Sequence, residues 1–342
     1  MALIRPINWV QITNNTLISS NLYNYEMGMR RQRWYCANNM SKEDLKNLIK
    51  SRIQNRSHFN PPRSMLPLAQ QVLQARSQLI FGVSTLLRAF PVLTCKFCPE
   101  IYVGETGHLI QSCGGYKRLD KKHLHEWTRA SLQDILVPVE TFHLGSRVQD
   151  VIEHRQRFNF DRVPAVVELC HQAGTHLEDP NLQYSNASSR LIIDRTSIKA
   201  DSLSTDELKV IGTRTLKAWE MLRKGVEKLL LVYPAKVCKR CLEVHVGPSG
   251  HMTRLCGVFK YQKKENHFWQ KAHVDDLVPP KIAWCRRPQD PPVLLNEGRN
   301  YYGRAPAVVD LCCKAGATPP VKYICIMKVQ GMTKPPLDKV SG

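Results

Sequence analysis

The stretch CKFCPEIYVGETGHLIQSCGGYK fills residues 95–117, and CKRCLEVHVGPSGHMTRLCGVFK fills residues 238–260. Both carry the spacing C-x2-C-x9-H-x4-C. Cys95, Cys98, His108 and Cys113 in the first answer Cys238, Cys241, His251 and Cys256 in the second. Three thiolates and an imidazole complete a tetrahedral zinc shell of the closed, structural kind. The Cys-x-x-Cys turn brings two sulfurs to one ion, and the returning His-x4-Cys pair supplies the rest. A +2 ion also offsets the cost of gathering thiolates. One C-x2-C alone is a weak signal, because such pairs also serve redox chemistry. Two copies with identical spacing are a strong one, and two Zn2+ per chain are expected. His125 and His267 also recur, each two residues before a tryptophan, so they stand as alternative ligands. Within each core, IYVGETGH and VHVGPSGH read as two short strands around a glycine turn.

The likeness runs outward from the cores. Leu79, Gly82, Leu86, Leu87 and Pro91 match Leu222, Gly225, Leu229, Leu230 and Pro234. Beyond the cores, His125 and Trp127 match His267 and Trp269, and FDRVPAVVELCHQAG (160–174) matches YGRAPAVVDLCCKAG (302–316). Each unit spans about 100 residues, too long for a solenoid repeat. The expected fold is therefore an α-rich α+β chain of two homologous small zinc-finger-like domains. Each has a long helix, a Cys-x-x-Cys knuckle with a short β-hairpin, and following helices.

Apolar residues at three- and four-residue steps predict the opening helices: Val72, Leu79, Ile80, Val83, Leu86 and Leu87, then Leu216, Trp219, Leu222, Val226, Leu229 and Leu230. Ser204 and Glu207 read as a capping box. Pro164 and Pro306 stand at the first turn of each closing helix, with Gly174 and Gly316 at its end. Cys170 and Cys312 lie on the apolar face of those helices and read as core. The expected boundaries are a transit peptide at 1–35, a basic linker at 36–64, repeats at 65–175 and 204–318, a linker at 176–203 and a basic tail at 319–342. The leader carries Arg5, Arg30, Arg31 and Arg33 but a single acid, Glu26. That composition suits an organellar address.

The chain has 342 residues and a formal net charge of +20, which favours a polyanionic partner. No run of 18 apolar residues occurs, so no membrane span is expected. Directly after each core comes a basic stretch with aromatics. Lys117, Arg118, Lys121 and Lys122 follow the first; Lys260, Tyr261, Lys263, Lys264 and Lys271 follow the second. Cations attract phosphates and aromatic faces stack unpaired bases, so these residues are the candidate RNA contacts. The tryptophans read as packing beneath the metal sites. A closed four-ligand shell leaves no position for a reactive water, which argues against an enzyme. The zinc deaminase pattern needs H-x-E and P-C-x-x-C; the only H-x-E is His176–Glu178, and no proline precedes Cys95 or Cys238.

These motifs, each followed by H-x-W and PAVV-x-LC-x-x-AG, resemble the plant APO proteins (accumulation of photosystem one). The likeness covers about residues 65–320. It implies an organelle-targeted, zinc-associated RNA-binding protein that assists group II intron splicing, other organellar splicing factors being potential partners. It also implies support for complexes containing 4Fe–4S clusters. The leader resembles that of a mitochondrial member, with the matrix as expected compartment and the chloroplast stroma as the alternative. A direct assembly factor, handling clusters through its cysteines, is the second reading. Iron–sulfur clusters usually take four cysteines, however.

Overall fold

The computed structural model describes residues 65–114, 123–144, 157–176, 203–247 and 269–329, together with Ser41, Asp44, Ile152 and Gly250. Contacts divide the chain into Met1–Phe59 and Asn60–Gly342. In the first unit Ser41 Oγ donates to Asp44 Oδ2 at 2.6 Å. Everything that follows lies in the second. The expected transit peptide and the linkers fall almost wholly outside the described residues.

Two long helices open the two repeats. Helix α1 (Met65–Ala89) stops just before Pro91. Helix α4 (Thr205–Val232) starts on the expected capping box: Ser204 Oγ accepts from the Glu207 amide, and the Glu207 carboxylate accepts from the Ser204 amide at 2.8 Å. Pro234, which cannot continue a helix, follows its end. Their apolar faces are buried, with Leu86 and Leu229 fully enclosed. Each such side chain contributes roughly 1.5–3 kcal/mol by leaving water.

The helices pack on each other with two-fold logic. A Cβ on Gly82 would overlap the Thr215 side chain, and one on Gly225 would overlap Val72. Gly82 and Gly225 are equivalent in the repeat, as are Val72 and Thr215. Contact i–j in one direction is therefore contact j–i in the other, the mark of an isologous interface. Here that interface joins two halves of one chain.

The strands repeat the device. In the first half, β1 (Val92–Cys95) pairs antiparallel with β2 (Ile101–Val103) and with β3 (Trp127–Arg129). A one-turn helix α2 (Leu132–Ile135) leads to the hairpin β4 (Glu140–Phe142) and β5 (Arg162–Pro164), then to α3 (Ala165–Gln172). The second half has β6 (Ala235–Cys238), β7 (Val244–Val246), β8 (Trp269–Lys271), α5 (Val274–Leu277), β9 (Ile282–Cys285), β10 (Gly303–Pro306), α6 (Ala307–Lys314) and α7 (Val321–Met327). Strand β9 adds in parallel to β2 of the other half, Ile101 opposite Ala283, giving the order β10-β9-β2-β1-β3. At the equivalent place, Thr141 Oγ1 on β4 donates to the Val244 carbonyl on β7 at 3.0 Å. Each half thus sets its second hairpin against the other half's knuckle sheet, as a paired strand at β9 and through a side-chain bond at β4.

The chain is mixed helix and strand, as expected, but three expectations change. The repeats do not form separate bodies: one continuous core takes in Val83, Leu86 and Leu169 from the first and Leu222, Leu229 and Leu311 from the second. The knuckle hairpin is β1–β2, not two strands within IYVGETGH, because the strand preceding Cys95 is the better partner. Residues 321–327 of the expected tail form a helix, with Tyr323 and Met327 buried. The Tyr323 hydroxyl accepts from Trp219 Nε1 at 3.2 Å and donates to Glu220 at 2.8 Å.

The closing helices end as read. Gly174 (φ 108°) and Gly316 (φ 90°) take the left-handed conformation after them. Cys170 and Cys312 are fully buried, which pushes both thiols up. No helix among the described residues is long and apolar enough to cross a membrane.

Candidate metal centre

The β1–β2 hairpin turns through the first knuckle. Cys95 closes β1, and its amide donates to the Glu100 carbonyl at 2.9 Å, which holds Cys98 under it. Cys113 returns to the same place, its Sγ 3.8 Å from that of Cys95. His125 lies two residues before β3, with Nδ1 3.3 Å from Cys98 Sγ. The ligand atoms of Cys95, Cys98, Cys113 and His125 all lie within 4.8 Å of one another.

A tetrahedral zinc with Zn–S bonds of about 2.3 Å places its sulfurs about 3.8 Å apart, so the Cys95–Cys113 spacing suits such an ion. The donor chemistry agrees. Burial opposes ionisation of Cys95, yet the amides of Phe97 and Cys98 and the His125 ring more than offset it, so its thiol is brought down. Cys98 is pushed up by burial and by the neighbouring sulfurs. Three thiolates gathered this closely would need a cation among them to stay ionised.

His108, expected in the quartet, is elsewhere, and His125, the alternative, faces the sulfurs. The reason is local. His108 Nδ1 accepts the Ile110 amide at 3.1 Å, and Nε2 faces Glu100 Oε1 at 3.6 Å, with no hydrogen bond of its own. Its ring stands against Trp127 with centroids 4.8 Å apart. A Cβ on Gly107 would overlap that indole, as one on Gly250 would overlap Trp269. Gly107 thus seats Trp127 beneath the first centre, and Gly250 leaves the same room for Trp269.

Glu100 organises the far side. Its Oε2 lies 3.1 Å from His125 Nε2 and accepts from Ser112 Oγ at 2.9 Å. Its Oε1 accepts from Trp284 Nε1 at 2.5 Å. Burial alone would raise this carboxyl; the two imidazoles and the Ser112 hydroxyl hold it well below the usual carboxylate range. Glu100, Ser112 and Trp284 were missed from sequence. One signal was there: Glu100 recurs as Glu243, each two residues after the knuckle's second cysteine.

In the second repeat, Cys238 sits as Cys95 does, its amide donating to the Glu243 carbonyl at 2.9 Å. His251, Cys256 and His267 lie outside the described residues. So do Lys117, Arg118, Lys121, Lys122, Lys260, Tyr261, Lys263 and Lys264. Lys271 is exposed on β8, directly opposite Lys236 on β6.

Two stretches, residues 37–198 and 193–325, match the APO RNA-binding family. The chain is 36% identical to APO protein 2, chloroplastic, of Arabidopsis thaliana, over 84% of this chain and 74% of that one. It is 33% identical to APO protein 1, chloroplastic, of the same plant, over 79% and 71%. With APO protein 3, mitochondrial, also from Arabidopsis, the identity is 32% over 81% and 75%. No solved structure matches. Two copies of one family's pattern fill most of the sequence, and the chain belongs to the plant APO family.

Proposed function

We propose that this chain is a non-catalytic organellar RNA-binding protein whose two zinc centres hold the fold while a basic surface on the second repeat meets the RNA. In the first centre Cys95, Cys98, Cys113 and His125 would hold the ion. Bound there, zinc supplies cross-linking of the knuckle and charge neutralisation, and its shell has no vacant position. Cys238, Cys241, Cys256 and either His251 or His267 would do the same in the second.

The family match supports RNA as partner. The structural observation that carries the placement is the pair Lys236 and Lys271. Like charges directly across an antiparallel ladder destabilise it, and neither lysine has a carboxylate partner among the described residues. Lys239, exposed, follows β6 at the knuckle. A phosphate backbone relieves that repulsion, and single-stranded RNA offers one with bases to stack. Group II introns are the proposed RNA. The mitochondrial matrix is the proposed compartment and the chloroplast stroma the alternative.

The test is to purify the tagged protein from plant mitochondria and sequence the RNA bound to it. Enrichment of intron sequence is the expected result; no enrichment rejects the splicing role. The same preparation should be colourless with about two zinc per chain. Brown protein with visible absorption would instead favour the cluster-assembly reading, whose chemistry is iron–sulfur.

A further inference from the structure

The first metal centre is not built by the first repeat alone. We propose that Glu100 is its positioning residue and that Trp284, from the second repeat, completes its outer shell, so that retention of the first zinc reports docking between the repeats. The proposal rests on the zinc reading above.

The Glu100 carboxylate touches both halves of the molecule. On one side it meets His125 Nε2 and Ser112 Oγ through one oxygen. A carboxylate accepts, so His125 carries its proton on Nε2 and presents the Nδ1 lone pair to the cysteine sulfurs. Such a carboxylate fixes the tautomer and ring angle of a metal-binding imidazole, and its loss typically costs about 10- to 100-fold in metal affinity. The other oxygen accepts from the Trp284 indole. Trp284 sits on β9, paired opposite Tyr102 on β2. Arg304 stacks on the outer face of that indole, 4.6 Å from the ring centre. The hold extends past Trp284. The Leu109 amide donates to the Leu294 carbonyl at 2.8 Å, and the Gln111 amide to Asn296 Oδ1 at 3.2 Å. The segment between His108 and Cys113 is thus pinned by a loop of the second repeat.

The other half shows what differs. The counterparts of Glu100, Trp284 and Arg304 are Glu243, Phe142 and Arg162. Arg162 stacks on Phe142 at 4.9 Å and reaches Glu243 Oε1 at 3.9 Å. A phenyl ring has no N–H to give the carboxylate. The cross-repeat contact to the glutamate is therefore a hydrogen bond from an indole at the first centre and a longer ion pair with an arginine at the second. The same comparison supplies the variant: Trp284→Phe places at one position what the fold already accommodates at its equivalent.

The experiment titrates full-length, zinc-loaded protein with a chromophoric chelator and follows release of the two equivalents. Glu100→Gln should weaken one equivalent about 10- to 100-fold and leave the other in place. Trp284→Phe should weaken the same equivalent, by less, although it lies more than 150 residues from the nearest ligand. Cobalt-substituted protein supplies the second readout: the thiolate charge-transfer band of one centre should change in both variants. Unchanged retention and an unchanged band in Trp284→Phe would overturn the coupling while leaving the zinc reading intact. Wild-type protein that binds no zinc would overturn both.

Discussion

The two knuckle sheets share a backbone and differ in what they show. Across the first, Trp284, Tyr102, Leu93 and Arg129 stand in register, from β9 through β2 and β1 to β3. Across the second, the equivalent row is His245, Lys236 and Lys271, from β7 through β6 to β8, while Phe142, the sequence counterpart of Trp284, lies on the separate hairpin β4–β5. One is a largely apolar seat: Tyr102 and Trp284 join Ile110, Leu294 and Tyr302 in a small buried cluster. The other sets cations side by side. The two halves keep the cysteines, the glycines against the tryptophans and the helix contacts. They differ in the sheet face: on the reading proposed above, the first serves as a clamp between repeats and the second as a surface for an anion.

The largest test of that comparison concerns the histidines common to both halves. His125→Ala should abolish one of two zinc equivalents, weakening that site more than about 100-fold, beyond the cost of losing an outer-shell group. His108→Ala should keep both equivalents, with lower thermal stability because a fully buried ring is lost. Metal content of the purified variants decides it. If His267→Ala and His251→Ala sort the same way, both centres share the arrangement; if they sort oppositely, the second knuckle has its own.

A second contrast lies behind the sheets. Glu168 and Asp310 are equivalent and both buried. Glu168 is satisfied, with His143 Nδ1 at 2.7 Å and Gln172 Nε2 at 2.9 Å. Asp310 faces Cys285, where the first repeat has His143, and its Oδ2 has no hydrogen bond. Burial pushes its carboxyl up to about 6, against 3.8 in the unfolded chain, Lys314 and the Cys285 thiol opposing only in part. The folded state therefore holds the proton more tightly. This group favours folding most below about pH 4, and that contribution is lost as pH rises through 6. Asp310→Asn should raise stability by about 3 kcal/mol at pH 8, the gain shrinking towards pH 5. Glu168→Gln, which spoils a satisfied pair, should lower it by about 1–3 kcal/mol. Denaturant unfolding at both pH values is the measurement.

The helix interface comes next. Gly225→Ala forces a methyl into Val72, and Gly82→Ala into Thr215, each at about 1–3 kcal/mol. Shaving the partner should restore part of the loss: Gly225→Ala with Val72→Ala, and Gly82→Ala with Thr215→Ala. The coupling energies should be of similar size if the two contacts are true equivalents. A clear inequality would mean that one side of the pseudo-two-fold carries the helix packing.

How far the sequence could be read follows from the range of each interaction. Helix α4 was legible to its first residue, because Ser204, Glu207 and Pro234 act within a turn of where they stand. Cys95, Cys98 and Cys113 were legible from spacing alone. The choice between His108 and His125 was not, since it turns on the Ile110 amide occupying one imidazole and Glu100 orienting the other. Trp284 was beyond reach, for nothing local to IAWC announces that it joins a strand nearly two hundred residues earlier. The exchange of hairpins between halves was hidden for the same reason. Repetition in a sequence shows that two units are alike, and leaves open whether they fold apart or around each other.

The smallest expected effect bears most directly on specialisation. Lys236→Leu gives the second sheet the residue that the first carries at Leu93. It removes one cation from the pair with Lys271 and also relieves their mutual repulsion, so the free protein should be no less stable. RNA affinity should nevertheless fall, and the slope of log K against log salt should flatten by about 1 if Lys236 neutralises one phosphate. The reciprocal change, Leu93→Lys, sets a lysine opposite Arg129 and beside Tyr102. It should gain little RNA affinity, because the row on that face is tied by Trp284 to the other repeat. Equal and opposite changes from the two variants would make the faces interchangeable. A loss at Lys236 without a gain at Leu93 would mean that the clamp built on Glu100 and Trp284 has committed the first sheet to holding the molecule together.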